Sequence, residues 1–185
     1  YHQKYFQDVK GLKIANPCGS NGRIAVPLAL LGADVTIFDI SEENKRYALE
    51  LAESAKVDIQ YIVGDFCDID LNMYSNTFDI VYSEGGILHY FSDIDIFTSK
   101  LYEITKTNGE LILSDFHPFR KIDLIGNVPQ TCGDYFDSNI HNGDVAYKGF
   151  FPSEEQNSFP DCCLRFYTLS EIINSVIKSK FVIKE

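Results

Sequence analysis

The chain has 185 residues, of which 45% are hydrophobic, and its 27 acidic and 16 basic side chains give a formal net charge of −11. This length suits a single domain with a sizeable core, and no apolar run reaches the ~20 residues that cross a bilayer. The acidic excess disfavours binding to nucleic acid or to anionic membranes, because phosphate contacts depend largely on Lys and Arg, so we expect a small-molecule partner.

Hydrophobic periodicity predicts alternating strands and helices along most of the chain. Residues 1–10 have the pattern of the end of an amphipathic helix. Because the strands are apolar throughout rather than alternating, they predict a parallel sheet that helices cover on both faces. Strands are predicted at residues 12–15, 34–40, 59–63, 78–82 and 110–114, with a sixth beginning at 181–183. Helices are predicted at 23–31, at 42–55 and 93–105 with Ser41 and Ser92 as caps, and after the capping box of Thr168 and Glu171.

The most informative stretch is residues 11–41, GLKIANPCGSNGRIAVPLALLGADVTIFDIS. It runs from an apolar strand through a glycine-bearing loop and an apolar helix to a second strand that ends in Asp39. Glycines let the backbone N–H groups of such a loop approach a ligand, and an acid at the end of the next strand accepts from ribose hydroxyls. The stretch therefore predicts a pocket for an adenosine-containing ligand. A helix cap near Ser41 is the alternative role for Asp39.

Residues 117–166 interrupt the alternation with a stretch rich in Gly, Asp, Asn, Pro and aromatic residues. Long segments of this kind in a compact domain are usually functional, so we expect a lid. We expect a hairpin turn at Asn142-Gly143, because this pair favours positive φ angles. A poorly ordered insertion is the alternative, and the aromatic residues here form either local core or a cage for a cationic substrate.

The order of these features resembles the class I S-adenosylmethionine-dependent methyltransferases, and within them the branch that acts on small molecules. The resemblance rests on residues 11–41, on Gly64-Asp65 after the third strand and on Ser83-Glu84-Gly85 after the fourth. It covers residues 11–116 and 167–185. It implies one α/β domain over residues 1–185, a Rossmann-like α/β/α sandwich with strand order 3-2-1-4-5 and an inserted lid at 117–166. It also implies methyl transfer from S-adenosylmethionine to an oxygen or nitrogen of a small molecule, with S-adenosylhomocysteine as product.

The resemblance also implies roles for single residues. The glycine loop would hold the methionine part of the cofactor, Asp39 would bind the ribose hydroxyls, and Asp65 would bind the adenine amino group. The alternative role for Asp65 is to form the turn after Gly64. The cofactor-binding residues that it implies are Asn16, Pro17, Cys18, Gly19, Asn21, Gly22, Asp39, Ile40, Asp65, Phe66, Ser83, Glu84 and Gly85.

Methyl transfer needs a base only if the nucleophile carries a proton that must leave. We expect His89 in that role, with Glu84 or His117 as helper, while structural imidazoles are the alternative for both histidines. A metal site from His89, His117, His141 and Asp115 is disfavoured, because no two of these residues have metal-ligand spacing on one helix, and we expect no metal. The residues expected to line the acceptor pocket are Tyr90, His117, Tyr135, Phe136, Tyr147 and Arg165.

Three loop residues depart from the pattern of the family. Asn16 stands where the family usually has an acid, and Cys18 and Ser20 stand where it has glycines. A left-handed backbone at Ser20 would cost roughly 1–2 kcal/mol. These departures would weaken or abolish the cofactor site. The alternative function is therefore a cofactor-binding or interaction module without turnover. A nicotinamide-dependent oxidoreductase is less favoured, because the loop contains only Gly19-x-x-Gly22 of the expected G-x-G-x-x-G.

A cytoplasmic location is expected from two observations. The first residues lack the basic-then-apolar pattern of a signal peptide. The five cysteines are odd in number and form no CxxC pair, which favours reduced thiols, with a redox pair at Cys162 and Cys163 as the less favoured alternative. The absence of an initiator Met indicates a fragment, a trimmed product or the ordered part of a longer chain.

Overall fold

Five parallel strands form the main sheet of the computed structural model, which describes residues 2–119, 133–145 and 148–184. Their spatial order is β3-β2-β1-β4-β5, and each adjacent pair is parallel. This confirms the predicted fold class and strand order. The chain changes direction across the sheet beside β1, and such switch points bind ligands at the carboxyl edge. The strands are β1 (Lys13–Pro17), β2 (Asp34–Asp39), β3 (Gln60–Val63), β4 (Phe78–Glu84) and β5 (Thr105–Ser114).

Helices cover both faces of this sheet, as the uniformly apolar strands predict. One buried cluster joins Ile14 of the first strand to Ala48, and a second joins Phe38 to Phe97. The two clusters lie on opposite faces and form the core of an α/β/α sandwich. The helices are α1 (Ala25–Leu30), α2 (Glu42–Ala55), α3 (Leu71–Tyr74), α4 (Ile94–Ile104), α5 (Ser153–Gln156) and α6 (Leu169–Lys178).

The helix caps largely follow the sequence. The Ser41 hydroxyl accepts from the Asn44 N–H at 3.1 Å and starts α2, and Thr168 starts α6 with the reciprocal bonds of a capping box to Glu171. For α4 the predicted cap Ser92 is wrong. The Asp93 carboxylate accepts from the Asp95 N–H at 2.9 Å, because the helix begins one residue later, where Ile94 enters the core.

The segment after β5 contains a two-stranded antiparallel sheet of β6 (Ile140–Asp144) and β7 (Asp161–Arg165). The predicted hairpin turn at Asn142-Gly143 is wrong, because both residues lie inside β6. Gly143 pairs with Cys162, and a Cβ at Gly143 would overlap the Leu164 side chain. The glycine therefore makes room for a partner strand that is distant in sequence.

Two predictions at the chain ends also differ from the structure. Only Gln3–Tyr5 is helical near the start, as a short 3-10 turn, because Phe6 and Val9 bend into the core instead of sharing one helix face. The sixth strand predicted at 181–183 is absent from the described residues 181–184. There the chain runs past β5, and Lys184 pairs with Glu110 at 2.6 Å.

Candidate functional site

The carboxyl ends of the five parallel strands meet at one edge of the sheet. Each strand is followed there by a loop, and the structure brings the sequence-predicted cofactor residues together on these ends and loops. They are Asn16, Pro17, Cys18, Gly19, Asn21, Gly22, Asp39, Ile40, Asp65, Phe66, Ser83, Glu84 and Gly85.

The loop of residues 18–22, which we call the glycine loop, has a left-handed backbone at three positions. The φ angles are 55° at Cys18, 50° at Ser20 and 78° at Gly22. At the two non-glycine positions this backbone costs roughly 1–2 kcal/mol each. Two contacts offset that cost at Ser20: its N–H donates to Asp39 Oδ2 at 3.0 Å, and its carbonyl accepts from the Tyr61 hydroxyl at 3.0 Å.

Asp39 joins the glycine loop to the start of α2. Its Oδ2 atom accepts from the Ser20 N–H, and its Oδ1 atom accepts from the Ser41 N–H at 3.0 Å. Oδ1 also accepts from the Asn44 side-chain amide at 3.5 Å. The side chain is only half-buried, and because a carboxylate oxygen can accept two hydrogen bonds, Oδ2 has room for one more. Asp39 thus has a structural role near the helix cap and retains capacity to accept from hydroxyl groups of a ligand.

Asn16 supports the glycine loop from below. Its Nδ2 atom donates to the Tyr82 carbonyl at 2.8 Å, and its Oδ1 atom is buried with no hydrogen-bond partner among the described residues. Oδ1 lies directly under Gly19, because a Cβ there would come within 2.5 Å of it. Any side chain at position 19 would therefore displace the loop.

The loop and the strand ends offer a mixed set of donors and acceptors. Within the described residues, the N–H groups of Gly19 and Asn21 have no hydrogen-bond partner. Asp39 retains acceptor capacity, and the exposed Asp65 uses Oδ1 for the Cys67 N–H at 2.8 Å but has no partner at Oδ2 within the same described part. Free N–H groups suit a carboxylate, and carboxylates suit hydroxyl and amino groups. The set therefore fits a ligand with an amino acid part, a ribose and an adenine.

Phe66 and Ser83 face the interior at this edge. The Phe66 ring is 3% exposed and packs on Phe38 and Phe97 with ring centroids 5.6 and 5.5 Å apart. The Ser83 hydroxyl donates to the Pro17 carbonyl at 3.1 Å and joins β4 to β1. The buried side chains of these two residues therefore hold the edge together.

A cavity of about 560 Å³ opens at the ends of β4 and β5. Its volume lies within the usual range for small-molecule sites. Glu84 lies on its wall, where its Oε2 atom accepts from the Tyr82 hydroxyl. The residues that line it are His2, Tyr82, Glu84, Gly85, Gly86, Ser114, Asp115 and Phe116.

The two predicted catalytic histidines lie in loops next to this edge. His89 belongs to the 3-10 turn Leu88–Tyr90, and its ring lies 4.2 Å from that of Tyr90 and 6.0 Å from that of Phe166. The turn is fixed by Asp115, whose Oδ2 atom accepts from the N–H groups of Ile87 and Leu88 at 2.8 and 2.9 Å. The exposed His117 uses Nδ1 to accept from the Phe119 N–H at 3.2 Å.

Besides His117, the structure describes three of the acceptor residues predicted in the 117–166 segment: Tyr135, Phe136 and Arg165. The strand β7 contacts the turn Leu88–Tyr90, which brings the small sheet near His89. Tyr135 accepts from the Leu169 N–H at 2.9 Å, and Phe136 is 78% exposed. Arg165 pairs with Glu171 at 2.8 Å and so stabilises the start of α6. Tyr147 lies outside the described residues.

Two thiols near the edge are held in the protonated form. Burial raises the pKa of the Cys18 thiol far above its ordinary value, and the nearby Asp39 adds to the effect. Burial also raises the pKa of Cys67 to about 11, with a further contribution from Asp65. Neither thiol is a nucleophile at neutral pH, because the reactive species is the thiolate.

Tyr61 and Tyr82 are the site residues that the sequence reasoning missed. Each is a buried tyrosine in a strand of the main sheet, and each directs its hydroxyl toward the carboxyl edge, to the Ser20 carbonyl and the Glu84 carboxylate respectively. A buried tyrosine usually needs a partner for its hydroxyl, so a tyrosine within a predicted buried strand was the sequence signal for a polar contact at this edge.

In the part of the chain that the structure describes, no cluster of three potential metal ligands occurs and no helix is long and apolar enough to cross a membrane.

Comparisons with known proteins agree with this geometry. The sequence model of a family described as a methyltransferase domain matches residues 17–113, more than half of the chain. A ubiquinone biosynthesis O-methyltransferase of Rickettsia canadensis is 25% identical over 182 residues, which are 98% of this chain and 74% of that protein.

Solved structures support the fold. An S-adenosylmethionine-dependent methyltransferase from Mesorhizobium loti has a TM-score of 0.78 at 21% identity, covering 100% of this chain and 82% of that one. Phosphoethanolamine N-methyltransferase 2 of Haemonchus contortus, solved with S-adenosylmethionine, has a TM-score of 0.63 at 20% identity, covering 97% of this chain and 35% of that one.

Proposed function

Because the chain belongs to the class I S-adenosylmethionine-dependent methyltransferases, we propose that its acceptor is a small molecule with a hydroxyl group. The chain is an enzyme, and its cofactor is S-adenosylmethionine. The observation that favours a hydroxyl acceptor is the similarity, over 98% of this chain, to a protein named as an O-methyltransferase. An amine acceptor is the second candidate, favoured by the fold similarity to a phosphoethanolamine N-methyltransferase.

The cofactor site that we propose is the edge around the glycine loop. The N–H groups of Gly19 and Asn21 would bind the carboxylate of the cofactor, Asp39 its ribose hydroxyls and Asp65 its adenine amino group. The support is that, within the described part of the chain, the N–H groups of Gly19 and Asn21 and Oδ2 of Asp65 have no partner, while Oδ2 of Asp39 accepts one hydrogen bond and can accept another. When bound, the cofactor supplies an electrophilic methyl group on a positively charged sulfur.

The protein itself aligns the acceptor and excludes water. The 560 Å³ cavity at the ends of β4 and β5 adjoins the proposed cofactor edge through Glu84 and Gly85 and has room for a small acceptor. We place the acceptor there, with the 117–166 segment as a further wall of the site. The support is the contact between β7 and the turn that carries His89 and Tyr90. His89 remains a candidate base, with Glu84 or His117 as helper.

The test is a methyl-transfer assay over a panel that contains phenols, catechols, primary amines and N-methylated amines. S-adenosylhomocysteine formation is measured for each acceptor. We expect product with hydroxyl acceptors only. Product with amines only would replace the proposal with the second candidate. If S-adenosylhomocysteine binds in calorimetry but no compound of the panel is methylated, the result would contradict the proposal that the acceptor is one of these hydroxyl compounds.

A further inference from the structure

Three polar side chains meet on the wall of the cavity at the end of β4. The Tyr82 hydroxyl donates to Oε2 of Glu84, and Nε2 of His2 lies 3.9 Å from the same oxygen. The rings of His2 and Tyr82 meet edge to face with centroids 5.9 Å apart, and Phe6 packs on Tyr82 at 4.9 Å. These contacts hold the Glu84 carboxylate in one orientation.

The second acid on the cavity wall, Asp115, has hydrogen-bond partners at both carboxylate oxygens. Asp115 accepts from Ile87 and Leu88 through Oδ2, and from the Phe116 N–H through Oδ1 at 2.6 Å. By contrast, Oε1 of Glu84 has no hydrogen-bond partner in residues 2–119, 133–145 and 148–184. Of the two carboxylates that line the cavity, Glu84 therefore has the oxygen that is available to a bound molecule.

The groups around Glu84 keep Tyr82 as a hydrogen-bond donor. Burial raises the pKa of the Tyr82 hydroxyl, and the bond to Glu84 raises it further, while the charge of Arg23 opposes the shift. Arg23 lies beside the cavity, because a Cβ at Gly85 would be 3.4 Å from its guanidinium. Among the residues that the structure describes, His2 and Tyr82 contact Glu84. Arg23 and Asp115 are the other charged groups at the same cavity.

We propose that Glu84 is the base that accepts the proton of a hydroxyl acceptor, and that Tyr82 and His2 are positioning residues for its carboxylate. This proposal rests on the proposed function and specifies its acceptor as one whose proton must leave. The acceptor oxygen bonds to the methyl carbon as the carbon–sulfur bond breaks, the sulfur keeps that electron pair, and the hydroxyl proton moves to Oε1 of Glu84. In this arrangement His89 is not the base.

The first test compares Glu84→Gln, Tyr82→Phe and the control Glu110→Gln, whose carboxylate lies at the opposite edge of the sheet and pairs with Lys184. With phenol as acceptor, Glu84→Gln should lower kcat by roughly 100-fold or more, the usual scale for a general base, and should abolish the low-pH limb of the kcat profile. Tyr82→Phe should lower kcat by about tenfold with little change in KM, as expected for loss of one bond to a charged group.

Two readouts separate a base from a structural or cofactor-binding role. The loss in Glu84→Gln should shrink when 4-nitrophenol replaces phenol, because a more acidic hydroxyl needs less help from a base. The proposal moves Glu84 from the cofactor-binding set that the family resemblance implies to the acceptor side of the site. If that is right, S-adenosylhomocysteine affinity of Glu84→Gln in calorimetry should stay within about twofold of the wild type. Weaker cofactor binding with unchanged kcat, or an equal loss for both phenols, would overturn the proposal.

A second test does not depend on turnover. Phenol and its methyl ether are titrated separately into the protein loaded with S-adenosylhomocysteine, and backbone amide NMR signals of Gly85, Gly86 and Ser114 are followed. Phenol should shift these signals more than the ether does, and Glu84→Gln should remove the difference. Equal shifts for both compounds, or none, would refute the contact between Glu84 and the hydroxyl of the acceptor even if the methylation assay succeeds with phenol.

Discussion

At the residue scale, a few side chains hold the glycine loop in a conformation that its sequence disfavours. Cys18 and Ser20 have positive φ angles without being glycines. Ser20 is held by Asp39 on one side and by Tyr61 on the other. The departure from the glycine pattern at Ser20 is therefore compensated by hydrogen bonds from β2 and β3. The stability of the loop therefore depends on Asp39, the same carboxylate that we propose binds the ribose of the cofactor.

Asp39→Ala is predicted to weaken S-adenosylhomocysteine binding by roughly 1.5–3 kcal/mol, the range for hydrogen bonds to a charged group. The melting temperature without ligand should also fall, because the substitution removes the bonds to Ser20 and Ser41. Loss of about 1–2 kcal/mol would lower it by roughly 2–8 °C. Calorimetry and thermal unfolding measure the two effects. Asp34→Ala, at the exposed start of β2, is the matched control, and an unchanged affinity would remove Asp39 from the site.

Asn16→Asp is predicted to destabilise the protein, although the family usually has an acid at this position. The substitution removes the Nδ2 donor from the Tyr82 carbonyl and buries a carboxylate that is closed off beneath Gly19. We expect a loss of at least about 2 kcal/mol in the free energy of unfolding at pH 7. Urea unfolding measures it, with the exposed Asn21→Asp as control. Wild-type stability in Asn16→Asp would show that the site accommodates the charge.

At the element scale, α6 begins with a capping box that an ion pair reinforces. Glu171 accepts from the Thr168 N–H at 2.8 Å and pairs with Arg165 at 2.8 Å. Burial alone would raise the pKa of Glu171, but the bonds from Thr168 and the charge of Arg165 lower it below its ordinary 4.5. A lowered pKa stabilises the fold above pH 4.5, and this contribution is lost as pH falls through the lowered value.

Glu171→Gln should therefore cost about 1 kcal/mol at pH 7, the usual scale of a helix-terminal charge or cap. The difference from the wild type should narrow as pH falls below 4.5. Urea unfolding at several pH values measures this difference. Glu154→Gln, an exposed acid in the first turn of α5, is the control. A difference that stays constant down to pH 3 would contradict the assignment.

The β6–β7 sheet is predicted to become less mobile when both ligands are bound. It contacts the turn that carries His89, so occupation of the adjoining cavity should restrict it. Hydrogen exchange of residues 140–144 and 161–165 should slow with S-adenosylhomocysteine and acceptor together. The starts of β4 and β5, around Phe78 and Thr105, supply the reference within the same experiment, because they lie at the opposite edge of the sheet. Exchange in the sheet that ignores both ligands would refute its role as a wall of the acceptor site.

At the scale of the whole molecule, ligand binding should stabilise the fold by mass action. S-adenosylhomocysteine at 100 times its dissociation constant adds about 2.7 kcal/mol to the free energy of unfolding. For a domain of this size that corresponds to roughly 5–10 °C in the melting temperature. NAD at the same concentration should leave the melting temperature unchanged, because the chain is a methyltransferase. Stabilisation by NAD alone would contradict the proposed cofactor site.

The sequence by itself determined the fold class and most strand and helix positions, and its resemblance to the methyltransferase family implied the strand order and the cofactor. The strand and helix positions follow from local signals: apolar runs, caps at Ser41 and Thr168, and a glycine loop before a strand that ends in Asp39. Each signal lies within a short window of the chain, so periodicity and punctuation are sufficient to detect it.

Only the tertiary structure decided which side chains meet at the edge of the sheet. Tyr61 reaches Ser20 across 41 positions, and Asp115 reaches Ile87 across 28. His2 meets Glu84 because the first residues turn back over β4. Such contacts depend on sheet register and on the path of connecting segments, which no short window of sequence encodes. For the same reason the sequence did not reveal that Gly143 pairs with β7. The Asn-Gly pair favours a turn locally, but pairing with a strand that is distant in sequence keeps it extended.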